Sequence, residues 1–119
     1  MTAEPGGVLP LRPVEMQILV SLVTEDLHGY GIVQAVEARG EDRAVPGLVT
    51  LYRALERMSE RGLVERVGHD SEHADASDHR RRTFRITALG RRVLHAEATR
   101  LSTLVRVALE ASGPSGGGS

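Results

Sequence analysis

Apolar and polar positions alternate along this chain with two different periods, and the change of period marks its elements. From Pro13 to Glu25, "PVEMQILVSLVTE", residues Val14, Ile18, Leu22 and Val23 form one stripe at helical spacing. Met16, Leu19 and Val20 carry apolar surface around most of the remaining circumference, so the predicted helix is covered on more than one side. Pro13 suits a first helical turn, and Glu15 complements the helix dipole there. In the next segment Gly29 and Gly31 make a poor helix start, yet Ile32, Val33 and Val36 hold helical spacing until Gly40. After a short loop to Pro46, "PGLVTLYRALERMSERG" predicts a third helix closed by Gly62. Leu48, Leu51, Leu55 and Met58 share its inner face; Val49, Thr50, Arg53 and Arg57 lie opposite, with Glu60 a turn later.

Beyond Gly62 the period falls to two. Leu63 to Val67 and Arg82 to Ile86 read as short strands, Phe84 and Ile86 alternating with Thr83 and Arg85. Two helices followed by two strands with a polar connection have the layout of a helix-turn-helix carrying a wing. Thr87 then caps a helix running from about Ala88 to Ala111. Its Leu94, Ala98, Leu101, Val105 and Ala108 fall at the four-three spacing of a coiled-coil seam, broadened by Val93, Leu104 and Leu109. A domain this small has already spent its core on the preceding elements. So wide a stripe therefore predicts cover from a second copy of the chain. The expected fold class is mainly α with a small β-hairpin wing (α+β): a winged helix-turn-helix plus a long C-terminal dimerisation helix. The division expected is a flexible tail over 1–11, a DNA-binding domain over 12–87, the dimerisation helix over 88–111 and a flexible Gly/Pro/Ser-rich tail over 112–119.

Composition adds little until it is read locally. Over 119 residues, 40% are hydrophobic and 26% charged, ordinary for a soluble domain. Aromatics are only 3%, namely Tyr30, Tyr52 and Phe84, so the core must be aliphatic. No cysteine is present, which excludes disulfides and thiolate metal sites. No apolar run is long enough to span a membrane and the N-terminus lacks a signal-peptide layout, so a cytoplasmic protein is expected. The net charge of -1 conceals segregation. All 15 basic residues are arginine, and Arg80, Arg81, Arg82, Arg85, Arg91 and Arg92 fall in a stretch free of acids. The stretch just before it holds Asp70, Glu72, Asp75 and Asp78 without any arginine. A polyanion responds to that local field rather than to the mean.

Duplex DNA is the partner this pattern suggests. On the third helix Arg53 is the candidate for reading bases, since arginine can donate two hydrogen bonds to guanine O6 and N7. Thr50 suits a phosphate or a base methyl, Arg57 suits phosphate, and Val49 belongs to the same candidate DNA-binding face. Arg80, Arg81 and Arg82, on the return strand of the wing, suit phosphate or the minor groove. Tyr52 and Tyr30 are open between core packing and a phosphate contact. The competing reading makes Arg53 and Arg57 a solvated face paired with Glu56 and Glu60. His69, His73 and His79 are candidate metal ligands with nearby aspartates, but a loop gives an i/i+4 pair no reason to converge, and a solvated loop is the simpler reading. While those histidines are neutral, the acidic tip around them would be repelled by DNA. No phosphate-binding glycine loop, metalloprotease motif or nucleophile elbow is present, so neither an enzyme nor a cofactor is expected.

"HGYGI" at His28 to Ile32, "TLYRALERMSERGLVE" at Thr50 to Glu65 and "RRRTFRITALGRRVL" at Arg80 to Leu94 resemble the PadR-type winged-helix transcriptional regulators. The resemblance covers about residues 14 to 97 and is most specific in the second block. Departures are Val49, where the family often has a small residue at the start of the recognition helix, Met58 for leucine, Ala88, and a longer, more acidic wing. The resemblance implies homodimers joined through terminal helices that bind inverted-repeat operators and repress transcription, in the compact form with one C-terminal helix. Some relatives sense small hydrophobic or phenolic molecules at the dimer interface. An effector pocket here would be lined by Met16, Val20, Leu94, Ala98 and Leu101, which equally suit a dry dimer core. A winged interaction module that does not bind DNA, and a metal-responsive regulator using the wing histidines, are the alternative functions.

Overall fold

The structure, a computed structural model, describes residues 10–39, 47–67 and 82–113. Among them the elements run α1 (Pro13–Leu22), β1 (Leu27–His28), α2 (Gly29–Ala38), α3 (Leu48–Glu60), β2 (Val64–Val67), β3 (Thr83–Ile86) and α4 (Ala88–Ser112). The strands form one antiparallel sheet in the order β1-β3-β2, with Leu27 opposite Phe84 and Val64 opposite Ile86. This is a winged helix-turn-helix followed by a long helix, as the hydrophobic pattern predicts. The expected flexible tails and the wing tip lie outside the described residues, apart from Pro10, Leu11 and the end of α4.

The sequence reading misses β1 and runs α1 three residues too far. α1 stops at Leu22, and its last turn is tied to α2. Ser21 Oγ donates to the Gln17 carbonyl at 2.8 Å, and the Arg39 guanidinium, arriving from the end of α2, donates to Ser21 Oγ at 3.0 Å. The chain then extends, and Leu27 and His28 join the edge of the hairpin. His28 next caps α2, its Nδ1 accepting the Gly31 N–H at 2.9 Å. That cap lets the glycine-rich "HGYG" begin a helix despite its low propensity.

Leu51, Ala54, Leu55 and Met58 bury the inner face of α3 against Ile18, Leu19 and Leu22 of α1 and Ile32 and Val36 of α2. α3 ends where Gly62 takes the left-handed conformation at φ 79°. The Gly62 N–H returns to the Ser59 carbonyl at 3.1 Å and the Leu63 N–H to the Met58 carbonyl at 2.9 Å, the paired bonds of a Schellman cap. Thr87 ties this turn to α4: its N–H donates to the Leu63 carbonyl at 3.0 Å, its Oγ1 donates to the Gly62 carbonyl, and the same Oγ1 accepts the Gly90 N–H at 2.9 Å. Helix α3, the wing and α4 therefore meet at one joint.

Only the first part of α4 is covered within the chain. Gly90, Val93 and Glu97 are buried and Leu89 and Leu94 pack on the core, whereas every residue from Ser102 to Ser112 is exposed. Val93, expected to broaden the outer stripe, belongs instead to the domain's own core.

Candidate nucleic-acid interface

The outward side of α3 is its best-defined surface. At about 100° per residue, Val49 and Arg53 lie on one line diametrically opposite Leu51 and Leu55, with Thr50 on the flank toward α1 and Tyr52 on the flank toward the sheet. Val49, Thr50 and Arg53 are exposed, Val49 at 66%. Arg53 makes no ion pair among the described residues, so the predicted alternative of pairing with Glu56 and Glu60 is not seen there. The first two turns of α3, Leu48 to Leu55, contain no acid, and the acids Glu56 and Glu60 follow in its second half. A polyanion therefore meets its most favourable surface at the N-terminal half, where the helix dipole is also positive.

Beside this face runs a groove of about 540 Å³ between α3 and the wing, bounded by Val49, Tyr52 and Arg53 at one end of α3, by Glu56 and Glu60 further along it, and by Arg66, Arg82 and Phe84 on the wing side. Arg66 is a groove residue that sequence reasoning missed. Strand alternation could have found it, because Arg66 stands on the same face of β2 as buried Val64 and opposite Phe84 in the register. Its side chain must therefore turn toward α3 rather than away from it. Neighbouring Glu65 faces the other way, where its carboxylate accepts two hydrogen bonds from Arg85 at 3.1 and 3.0 Å. Arg85 is thus engaged across the strands.

One expected contact is placed differently. Arg57 turns back toward α1: its guanidinium is 3.8 Å from the Glu15 carboxylate, and Arg61 approaches the same oxygen at 3.8 Å. Glu15 is only 1% exposed, and its other oxygen accepts the Arg12 N–H at 2.9 Å. A buried carboxylate draws Arg57 away from the outer face it was expected to share with Arg53. Tyr52 is half-buried against the core, its hydroxyl lying so close to Gly29 that a side chain there would overlap it. Tyr30 is by contrast 49% exposed on α2.

Of the wing arginines, Arg82 is described and borders the groove, while Arg80 and Arg81 lie outside the described residues. So do His69, His73 and His79; no group of three or more metal-ligating side chains occurs among the described residues. Met16, Val20, Leu94 and Leu101 are half-buried and Ala98 is exposed on the first and last helices, while Val105 and Ala108 are exposed further along α4. No helix among the described residues is long and apolar enough to cross a membrane.

Residues 18–96 match the transcriptional regulator PadR-like family. The chain belongs to the PadR family. Members of that family are transcriptional regulators, not enzymes. The fold is also that of solved PadR structures. A PadR family transcription regulator from hypervirulent Clostridium difficile is 24% identical, with a TM-score of 0.69 over 83% of this chain and 97% of that one. A PadR-like regulator from Bacillus cereus is 21% identical, with a TM-score of 0.65 over 89% and 92% of the two chains. A transcriptional regulator from Clostridium thermocellum is 23% identical, with a TM-score of 0.66 over 82% and 87%. No curated protein sequence matches the chain. In this winged helix-turn-helix α3 is the second helix of the helix-turn-helix pair, β2 and β3 are the wing, and α4 is the C-terminal helix.

Proposed function

We propose that the protein is a cytoplasmic homodimer that binds duplex DNA at an inverted-repeat operator and represses the transcription it overlaps. The observation that carries this reading is the acid-free N-terminal half of α3, with Val49, Thr50 and Arg53 exposed beside a groove edged by Arg66 and Arg82. A helix presented in this way enters the major groove with its first residues on base edges, and the wing arginines meet the backbone alongside. Residues 12–87 then act as the DNA-binding part and 88–111 as the dimerising part.

The homodimer rests on α4. Leu104, Val105 and Leu109, on the predicted seam and its flanks, are all more than half exposed on the helix end that projects beyond the core. A second copy burying the same stripe removes that apolar surface from water and places two recognition helices about a two-fold axis, matching an operator with two-fold symmetry. Met16, Val20, Leu94, Ala98 and Leu101 border this interface, and they are the residues a small hydrophobic effector would meet.

The test is a gel shift on duplexes selected from a randomised pool, run at two salt concentrations against scrambled sequence. Sequence-selective, salt-dependent retention supports the reading. Absence of any retained duplex would sink it and favour a winged interaction module.

A further inference from the structure

Val49 is the most exposed large apolar side chain of the DNA-facing elements, at 66%, and Leu48 beside it is 40% exposed. Neither shields core: the buried face of α3 is made by Leu51, Ala54, Leu55 and Met58. The valine shares its line on the helix with Arg53, four residues on, and both border the groove facing the wing. An apolar residue held in the middle of a surface meant for a polyanion needs a partner that is itself apolar. The major groove offers one such group. Guanine and adenine present hydrogen-bonding atoms there and cytosine an amino group beside a bare C5–H, whereas thymine presents a C5 methyl, the one bulky apolar group on the groove floor.

We propose that Val49 is a specificity-determining residue that reads a thymine methyl in each half-site. The inference rests on the DNA-binding reading above and adds the identity of one base to it. Valine is well suited to the task because its β-branch restricts χ1 in a helix, so the two methyls meet the base pre-oriented. Helix geometry also sets the register. Four residues rise about 6 Å, against about 3.4 Å for each base step, so the thymine lies within about two base pairs of the guanine taken by Arg53. A 5-methylcytosine presents the same methyl at the same ring position and is the other base this surface accepts.

The experiment uses full-length protein and a duplex recovered by selection, with each thymine replaced singly by deoxyuridine, which removes the methyl and nothing else. One position per half-site should lose about four-fold in affinity, the factor for one buried methyl, and replacing both half-sites together should lose about fifteen-fold. In Val49→Ala the same replacement should become nearly neutral, while thymines outside the site keep their wild-type behaviour. At that position cytosine should bind more weakly than 5-methylcytosine in the wild type and equally in Val49→Ala. If every deoxyuridine duplex binds like its parent, or if Val49→Ala keeps the full discrimination, the assignment is wrong although DNA binding stands. If no duplex is recovered, both readings fall together.

Discussion

The buried carboxylate of Glu97, on α4, accepts a hydrogen bond from the backbone N–H of Leu11 at 3.0 Å, across 86 residues of chain. Glu97 is 2% exposed, and Arg100 one turn later closes over it with two further bonds of 2.7 and 3.0 Å. The next amide along, that of Arg12, is taken by Glu15. Two buried acids thus hold the start of α1, one reaching it from the C-terminal helix and the other facing, at ion-pair distance, Arg57 of α3 and Arg61 of its cap. Residues at the N-terminus of α1 therefore touch both α4 and α3.

Removing that latch is costly. Glu97→Ala leaves the Leu11 N–H without its acceptor and should lower stability by about 1–3 kcal/mol, whereas Glu97→Gln retains an acceptor and should cost less. The Arg100 hydrogen bonds hold the Glu97 carboxyl below its ordinary value. A depressed carboxylate contributes stability that is fully present above the unfolded value of about 4.3 and is lost as pH falls through the folded value. The gap between wild type and Glu97→Gln should hold steady from pH 8 to about pH 5 and narrow below. Urea midpoints at one protein concentration measure it; a gap that widens in acid contradicts the assignment.

Arg53 and Arg57, one turn apart, should separate cleanly. Arg53→Ala should abolish preference for the selected duplex over scrambled DNA while leaving the urea midpoint unchanged. Arg57→Ala should keep that preference and lose stability instead, by about 1 kcal/mol because the guanidinium is partly solvated. Parallel gel shifts and unfolding curves decide the matter, and equal loss of preference in both variants would refute the division.

Arg66 should behave as a phosphate contact. Arg66→Ala is expected to weaken selected and scrambled duplexes alike. It should also reduce the slope of log K against log salt by about 0.9 for each half-site. A change of base preference without a change of slope would place Arg66 elsewhere.

The projecting end of α4 should control assembly without touching the fold. Val105 and Leu109 are exposed within one chain, so Val105→Asp and Leu109→Asp remove no intrachain packing. Both should yield folded monomers by light scattering, with circular dichroism retained and operator affinity lost. A variant that stays dimeric would move the interface off this stripe.

Gly90 marks the joint of α3, wing and α4. A β-carbon there would overlap the Leu63 carbonyl and come within 2.8 Å of Ile86 Cγ1. Because the first obstacle is backbone, Gly90→Ala should destabilise by about 1–3 kcal/mol despite alanine's better helix propensity. Thermal melts test the sign.

Much of this protein is legible in one dimension. The 3.6-residue stripes of α1, α3 and α4, the switch to period two after Gly62, and the caps at Gly62 and Thr87 are local properties of backbone and side chain. The outward line through Val49 and Arg53 follows from the same periodicity. Pairing and burial between distant segments are not local. β1 has two residues and exists only because β3 offers it an edge. The last turn of α1 is bound by Arg39 arriving from α2, and Arg66 faces α3 because the hairpin register turns it there. Arg57 looks equivalent to Arg53 in sequence and is drawn inward by a carboxylate 42 positions earlier. Glu97 interrupts the apolar stripe of α4, the one signal of its burial, but its partner is an amide at the far end of the domain. Local periodicity determined which faces are apolar; only tertiary packing decided which charges leave the surface, because burying a charge is favourable only where other groups meet it with hydrogen bonds or opposite charge.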